Sequence, residues 1–409
     1  MIGIALNAIE QGIEKTKSRG LVWAAVTRFV TVALFFDALA PLFPQIAASH
    51  SLSDNFFQAL LGGCYIAFAC SQLASVPVIR VIGLYRTSAL SCIFLGLATA
   101  LIFLNENAHL FAAVFISMFA VNSIGSNATR VVLRDATSDD GYKRLLAWAS
   151  GAVEIMQIAM PLVAGVLVAA FGWRWALVAL VAPVVIAGVW IEIVDRGQLG
   201  REDRIRSDAS TSSEGSSWKA VLARPAFIIP TLIAASFQVA FSPLSARLPF
   251  ILSNEAELSP AMVGLVLSLA SGVGALGFFV SGYLVAHLSS ENLIQVGIAL
   301  MTAGLAFMSV GYIWHVYYTI SGIILLQAAF GFIITPCSGD ALNTHGQHRP
   351  IASAVFGFVQ PMAGGFSVAM TGVLGLPQIG GSIGLTVVSI GLIFITIIVA
   401  RGQRQAKDH

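Results

Sequence analysis

Asp37 is a carboxylate set in an otherwise apolar run, Phe29 to Gln45 (FVTVALFFDALAPLFPQ), with Pro41 and Pro44 just beyond it. An acidic side chain at bilayer depth costs roughly 2.5–3.5 kcal/mol, so it persists where it faces a partner or a wet cavity. A carboxyl shielded from bulk water holds a proton more readily than one in water. Asp37 therefore has the chemistry to take a proton on one side of a barrier and release it on the other. The alternative is a structural hydrogen bond to a neighbouring helix. Glu154 and Gln157, in GAVEIMQIAMPLV, are three apart and share a helix face. Pro161 removes a helical hydrogen bond and allows a bend, and Ala164 with Gly165 allows close approach of a neighbour. Glu154 reads either as a second protonation or cation site or as the partner of Arg130. Arg247 either meets an anionic group or snorkels to an interface, and Arg28 reads as a snorkelling anchor. Asp340 and Arg349 flank one loop as gate or anchor. His345 and His348 in that loop have a metal-like spacing, but two ligands rarely make a site, so they read as solvated. Phe35, Phe36, Phe237 and Phe241 fall on the inner side of their helices or pack outward.

The elements that must position these residues are helices in a membrane. The chain is 57% hydrophobic and only 10% charged, against about 25% charged in a soluble domain. A span needs about 20 mostly apolar residues. Twelve runs qualify: 21–46, 56–79, 87–104, 110–132, 146–170, 175–194, 225–252, 260–286, 292–312, 316–338, 350–374 and 381–400. Of 22 Lys and Arg, only Arg174 and Arg247 fall on the outer side when the N-terminus is placed in the cytoplasm. The positive-inside rule then puts both termini in the cytoplasm. No cleavable signal peptide is visible, because residues 1–20 are polar and the first apolar run is too long for one. Cys64, Cys70, Cys92 and Cys337 lie in apolar runs and read as small packing residues. Glycines and small residues in the eighth run (Gly264, Ser268, Ser271, Gly274, Ala275) and the eleventh (Gly357, Gly364, Gly365) read as helix–helix contacts. No phosphate loop, nucleophile triad or dinucleotide fingerprint is present, so the chain does not read as an enzyme.

Residues 195–224 form a polar linker between two halves. The halves echo each other. Ala40-Pro-Leu-Phe-Pro44 closes the first helix and Ala246-Arg-Leu-Pro249 the seventh, and each is followed by a helix start, Leu52-Ser53-Asp54 or Leu258-Ser259-Pro260. Ser242 stands where the repeat would place a counterpart of Asp37. Duplicated halves around a midplane cavity are the plan of secondary transporters.

The chain resembles the major facilitator superfamily, and within it the Bcr/CflA-like drug:proton antiporters with twelve spans. The resemblance covers about residues 21–400. It rests on Asp37 with Pro41 and Pro44, Ser71-Gln72-Leu73, Arg130-x-x-x-Arg134-Asp135, Pro161 to Gly165 with Gly172-Trp-Arg-Trp175, Leu248-Pro249-Phe250, Gly331 to Pro336 and Ile351-Ala-Ser-Ala354. The loop after the second helix departs from the family pattern. Arg80 stands where the family has an Asp, and Phe115 where it has a basic residue.

The resemblance implies an all-α membrane protein with the major facilitator fold, two six-helix bundles related by a pseudo-two-fold axis. Residues 1–20 form a cytoplasmic segment, 21–194 the first bundle, 195–224 the linker, 225–400 the second bundle and 401–409 a cytoplasmic tail. The implied function is proton-coupled export of a small organic molecule by alternating access. The alternatives are a dedicated porter for one metabolite, such as a carboxylate siderophore, and a non-transporting sensor on the same scaffold. Asp37 and Glu154 are the proton-coupling candidates. Asp37, Gln157, Arg247, Phe36, Phe241 and Gln360 are the substrate-binding candidates, and Arg130, Pro161, Gly165 and Asp340 the gating candidates. The expected energy source is the proton gradient, with no cofactor and no metal. The expected setting is the bilayer of a bacterial inner membrane, as a monomer, with a small-molecule substrate and no nucleic acid.

Overall fold

The computed structural model describes residues 19–33, 38–135, 139–195, 221–343 and 349–408, and its regular elements are all helical. The first run is not one uniform helix. Helix α1 spans Arg19–Ala33, a 3₁₀ turn covers Ala40–Leu42, and α2 covers Phe43–Ser49. Pro41 and Pro44 each sit in a first turn, where a missing N–H leaves no bond unmade. Helix α3 (Asp54–Ile82) opens on the expected cap: Ser53 Oγ accepts from the Phe56 N–H at 3.2 Å. Gly83, at φ 97°, separates it from α4 (Leu84–Leu104). Helix α5 (Ala108–Asp135) is opened by Asn107 Oδ1, which accepts from the His109 and Leu110 N–H groups at 2.9 and 3.1 Å.

Helix α6 (Asp139–Asp195) joins the two runs expected at 146–170 and 175–194. The break between its arms is Gly172, at φ 77° and ψ 164°, where an added Cβ would meet nothing within 4 Å. Glycine is needed there for its backbone alone. The remaining helices are α7 (Pro225–Phe250), α8 (Pro260–Leu284), α9 (Ser290–Ile313), α10 (Val316–Asn343), α11 (Arg349–Val373) and α12 (Gln378–Asp408). The seventh helix does not stop at Pro249. The Ile251 N–H still reaches the Arg247 and Leu248 carbonyls, and a π turn, Ile251–Glu255, prolongs the helix. Ser259 starts α8 by its backbone angles and the following Pro260, without a side-chain bond. Ten of the described helices are long and apolar enough to cross a membrane. With α6 counted as two arms and the first run divided, the twelve expected runs are accounted for.

The chain forms two compact units. One holds the residues up to His50 and those from Cys70 through α6; the other holds Ser51–Ala69 and α7 to α12. In lipid there is little hydrophobic drive between helices, so close van der Waals approach decides which of them pair. In the first unit, α4 packs on α6 where a Cβ on Gly96 would press on Val185 and one on Gly188 would strike Cys92. In this unit Ala24, Ala25, Tyr85, Ala89, Val132 and Ile191 form one buried cluster.

In the second unit, α9 and α10 meet at Gly304 and Gly322, and α8 and α10 at Gly277 and Gly331. The first half of α3 lies against α11, with Gly62 on the Ala369 backbone and Gly365 on Tyr65 and Ile66. The eighth- and eleventh-run glycines expected at contacts are therefore only partly those that make them. A Cβ on Gly274 would meet Gln327 in ordinary contact at 3.5 Å and one on Gly357 would meet nothing within 4 Å, whereas Gly364 and Gly365 are tight. Cys64, Cys92 and Cys337 are buried, but Cys70 is exposed, because its side of α3 turns outward.

Candidate functional site

In the first unit, Asp37, Phe35 and Phe36 lie outside the described residues. Their surroundings do not. Ala38, Leu39, Pro41 and Leu42, directly after Asp37, are buried. A groove of about 320 Å³ runs between α1 and both arms of α6. Ala38 and Leu39, which follow Asp37, and Met156, which precedes Gln157, line it together with Val30, Met160 and Leu180. Gln157 is half-buried, and Pro161 and Gly165 are buried further along the same arm. The Glu154 side chain lies outside the described ones, so its pairing with Arg130 is not on view. Arg130 is exposed and rests over the Phe29 ring at 5.9 Å, a cation–π contact on α1.

Arg28 is not an interface anchor. It is fully buried, donating from Nη1 to Asn122 Oδ1 and from Nη2 to Ser91 Oγ, both at 3.2 Å. Gly125 leaves room for the guanidinium. Ser88 and Thr129 extend this polar seam between α4 and α5, with 2.8 Å between their hydroxyls. A buried guanidinium needs hydrogen bonds to hold its charge, and this seam supplies them. The signal was present in the sequence: Asn122, Ser126 and Thr129 recur at four and three residues, a polar stripe on an apolar helix.

The sequence reading also passed over His50, at the C-terminal end of α2. It is buried, stacked on Phe111 at 4.5 Å and tilted against Trp173 at 5.6 Å. Its Nδ1 donates to the Ile46 carbonyl at 3.1 Å, and its Nε2 has no partner among the described residues. Trp173 in turn carries Arg174, which pairs with Glu106 at 3.0 Å. The histidine ties α2 to α5 and to the turn of α6.

In the second unit, Arg247 is 1% exposed, too deep to snorkel. Its Nη1 donates to the Pro377 and Gln378 carbonyls at 3.2 and 3.0 Å and to Ser382 Oγ at 3.4 Å; Nη2 donates to the Leu376 carbonyl at 3.2 Å. A guanidinium so occupied is a clamp on the α11–α12 connection, not a ready anion receptor. The clamped connection presents Gln378, which donates to Asp54 Oδ2 at 3.3 Å; Asn254 of the π turn donates to the same oxygen at 3.0 Å. One turn into α3, the Gln58 Nε2 donates to the Ala246 carbonyl at 3.1 Å.

Phe241 is half-buried and stacks on Phe330 with 4.5 Å between centroids and 7° between planes. Phe237, expected as a cavity or lipid residue, is instead fully buried behind them. Gln360 is half-buried and its Nε2 lies 3.4 Å from the Phe356 carbonyl on its own helix. Asp340 is exposed and accepts from Ser290 Oγ at 3.1 Å. It lines a cavity of about 500 Å³ at the ends of α7, α9, α10 and α12, beside the Glu291–Arg401 ion pair. An anchor between α9 and α10 is thus its visible role. His345 and His348 lie outside the described residues, as does the Arg349 side chain.

A family model described as Major Facilitator Superfamily matches residues 29–369. No curated protein matches the chain. Among solved structures, the in meso crystal structure of the POT family transporter PepTSo is similar, with a TM-score of 0.75 at 9% identity, over 95% of this chain and 99% of that chain. At that identity the likeness is one of fold.

Proposed function

Because the chain belongs to the major facilitator superfamily, and is therefore a membrane transporter, we propose that it is a secondary transporter of the Bcr/CflA-like drug:proton antiporter type. It exports a small organic molecule in exchange for protons, using two six-helix halves and the proton gradient as its energy source. The observation that carries this reading is the setting of Asp37. The described residues on both sides of it belong to the first span, and those just after it are buried beside the α6 arm that bears Gln157. A carboxyl in such a place exchanges protons only when water reaches it, so protonation follows the conformation. Substrate and proton then compete for one cavity, which is what couples their fluxes. Glu154 is the second proton-coupling group, and Pro161 and Gly165 give its helix a place to bend.

Asp37→Asn keeps the shape of the side chain and removes its proton exchange. Reconstituted in vesicles with an imposed pH gradient, this variant loses gradient-driven flux while still exchanging substrate down its own gradient. Gradient-driven flux equal to that of the wild type removes Asp37 from the mechanism.

A further inference from the structure

Helices α7 and α10 each carry a Gln-x-x-Phe step, Gln238-Val-Ala-Phe241 and Gln327-Ala-Ala-Phe330. Residues three apart share a helix face, so each phenylalanine has an amide one turn away on its own side. The two phenylalanines meet: their rings are nearly parallel at 4.5 Å. Phe237 lies behind them, 5.3 Å from Phe241 and 5.8 Å from Phe330, tilted by no more than 27°. Phe278 of α8 closes the far edge, perpendicular to Phe330 at 5.1 Å. The inner ring is fully buried, but Phe241, Phe330, Gln238 and Gln327 are all half-buried. The slab is therefore partly accessible, with one amide a turn away on each helix, that of Gln327 lying near Gly274 of α8. Ser242 Oγ donates to Gln238 Oε1 at 3.1 Å, which fixes that amide with its NH₂ on the opposite side.

The slab is also uncharged. Helices α7, α8 and α10 hold only two charged residues, Arg247 and Asp340. Arg247 is clamped on the α11–α12 connection. Asp340 is ten residues beyond Phe330, about 15 Å along the helix, and is bonded by Ser290. A ligand with a carboxylate would lose its hydration at this slab and find no cation in return.

We infer that the second unit binds its substrate through a planar, uncharged heteroaromatic ring, which adds to the Phe241–Phe330 stack while Gln238 and Gln327 take the hydrogen bonds of its polar edge. This rests on the reading of the chain as a small-molecule transporter and gives that molecule a chemical class. Stacking tolerates many rings, because each has a π face. The amides select those with donors and acceptors at the edge.

The test is equilibrium binding to the full-length protein in detergent, with lumichrome as the fluorescent probe: a flat, neutral tricycle with amide-like edges. The wild type binds it saturably. Phe241→Leu and Phe330→Leu each weaken binding by roughly tenfold, the weight of one stacking contact. Gln238→Ala and Gln327→Ala weaken it by about three- to tenfold, as expected for lost neutral hydrogen bonds. Citrate, a flexible tricarboxylate, does not displace the probe. Absence of saturable binding to the wild type, displacement by citrate, or unchanged affinity in the variants overturns the inference. If a phenylalanine variant does not melt cooperatively, the two glutamine variants decide. None of these measurements involves a pH gradient. A protein that binds lumichrome but shows no proton-driven flux therefore refutes the antiport reading alone, and one that drives citrate with protons refutes the ring site alone.

Discussion

At the residue scale, two buried arginines show how a charge is kept inside a membrane protein. Arg28 is held by Asn122 and Ser91 side chains, and Arg247 by three carbonyls and Ser382. The difference has consequences. Removing the guanidinium takes its donor from the Leu376 carbonyl, while the Pro377 carbonyl keeps the Gly381 N–H and the Gln378 carbonyl keeps the Ser382 hydroxyl. Arg247→Met should lower stability by roughly 1–3 kcal/mol, the cost of one buried orphan, read as a lower melting temperature in detergent. Arg247→Lys should restore only part of it, because an ammonium lacks the planar fork that spans several acceptors. An anionic ligand protecting the wild type but not Arg247→Lys from melting would contradict the clamp. At Asp37 the sequence carries the argument alone: the residue lies outside the described ones, and only its flanks are on view.

At the element scale, glycines set the spacing of helices. Gly62 packs on the backbone of Ala369, which cannot move aside as a flexible side chain can. Gly62→Val should part α3 from α11 at a cost of roughly 1–3 kcal/mol, the usual range for overpacking, and should slow transport more than it weakens ligand binding. Equal flux in Gly62→Val and wild-type vesicles would show that this contact is not needed in the cycle. Gly172 tests the opposite case. Nothing crowds it, so Gly172→Ala should cost only the backbone penalty of about 1–3 kcal/mol, visible as reduced thermal stability with binding intact. A larger loss would mean that the turn between the α6 arms does more than reverse the chain. His50 belongs to this scale too, since its ring joins α2 to Phe111 and Trp173.

At the scale of the whole molecule, charge sets the orientation. With the N-terminus placed in the cytoplasm, only Arg174 and Arg247 of 22 basic residues fall on the outer side, and Arg247 is buried in protein. Both termini should be cytoplasmic. A fluorescent protein fused after His409 should glow, and alkaline phosphatase inserted after Asn105 should be active. The reverse pair of results would invert the topology. Composition alone determined much here. Hydropathy marked the twelve runs, Ser53 and Ser259-Pro260 marked helix starts, and the order of motifs pointed to the superfamily that the family model matches over 29–369. These signals are local, needing no more than a few neighbouring residues to be read. What the tertiary structure alone decided is who faces whom. In lipid most helix faces are apolar, so outside a polar stripe such as that of α5 hydropathy says that a helix crosses but not which side meets a neighbour. Arg247 and its acceptors are about 130 positions apart, Arg28 and Asn122 are 94 apart, and the rings of Phe241 and Phe330 belong to different helices. Their roles follow from close approach through glycine contacts and from the need of each buried polar group for a partner, both of which exist only once the helices are packed.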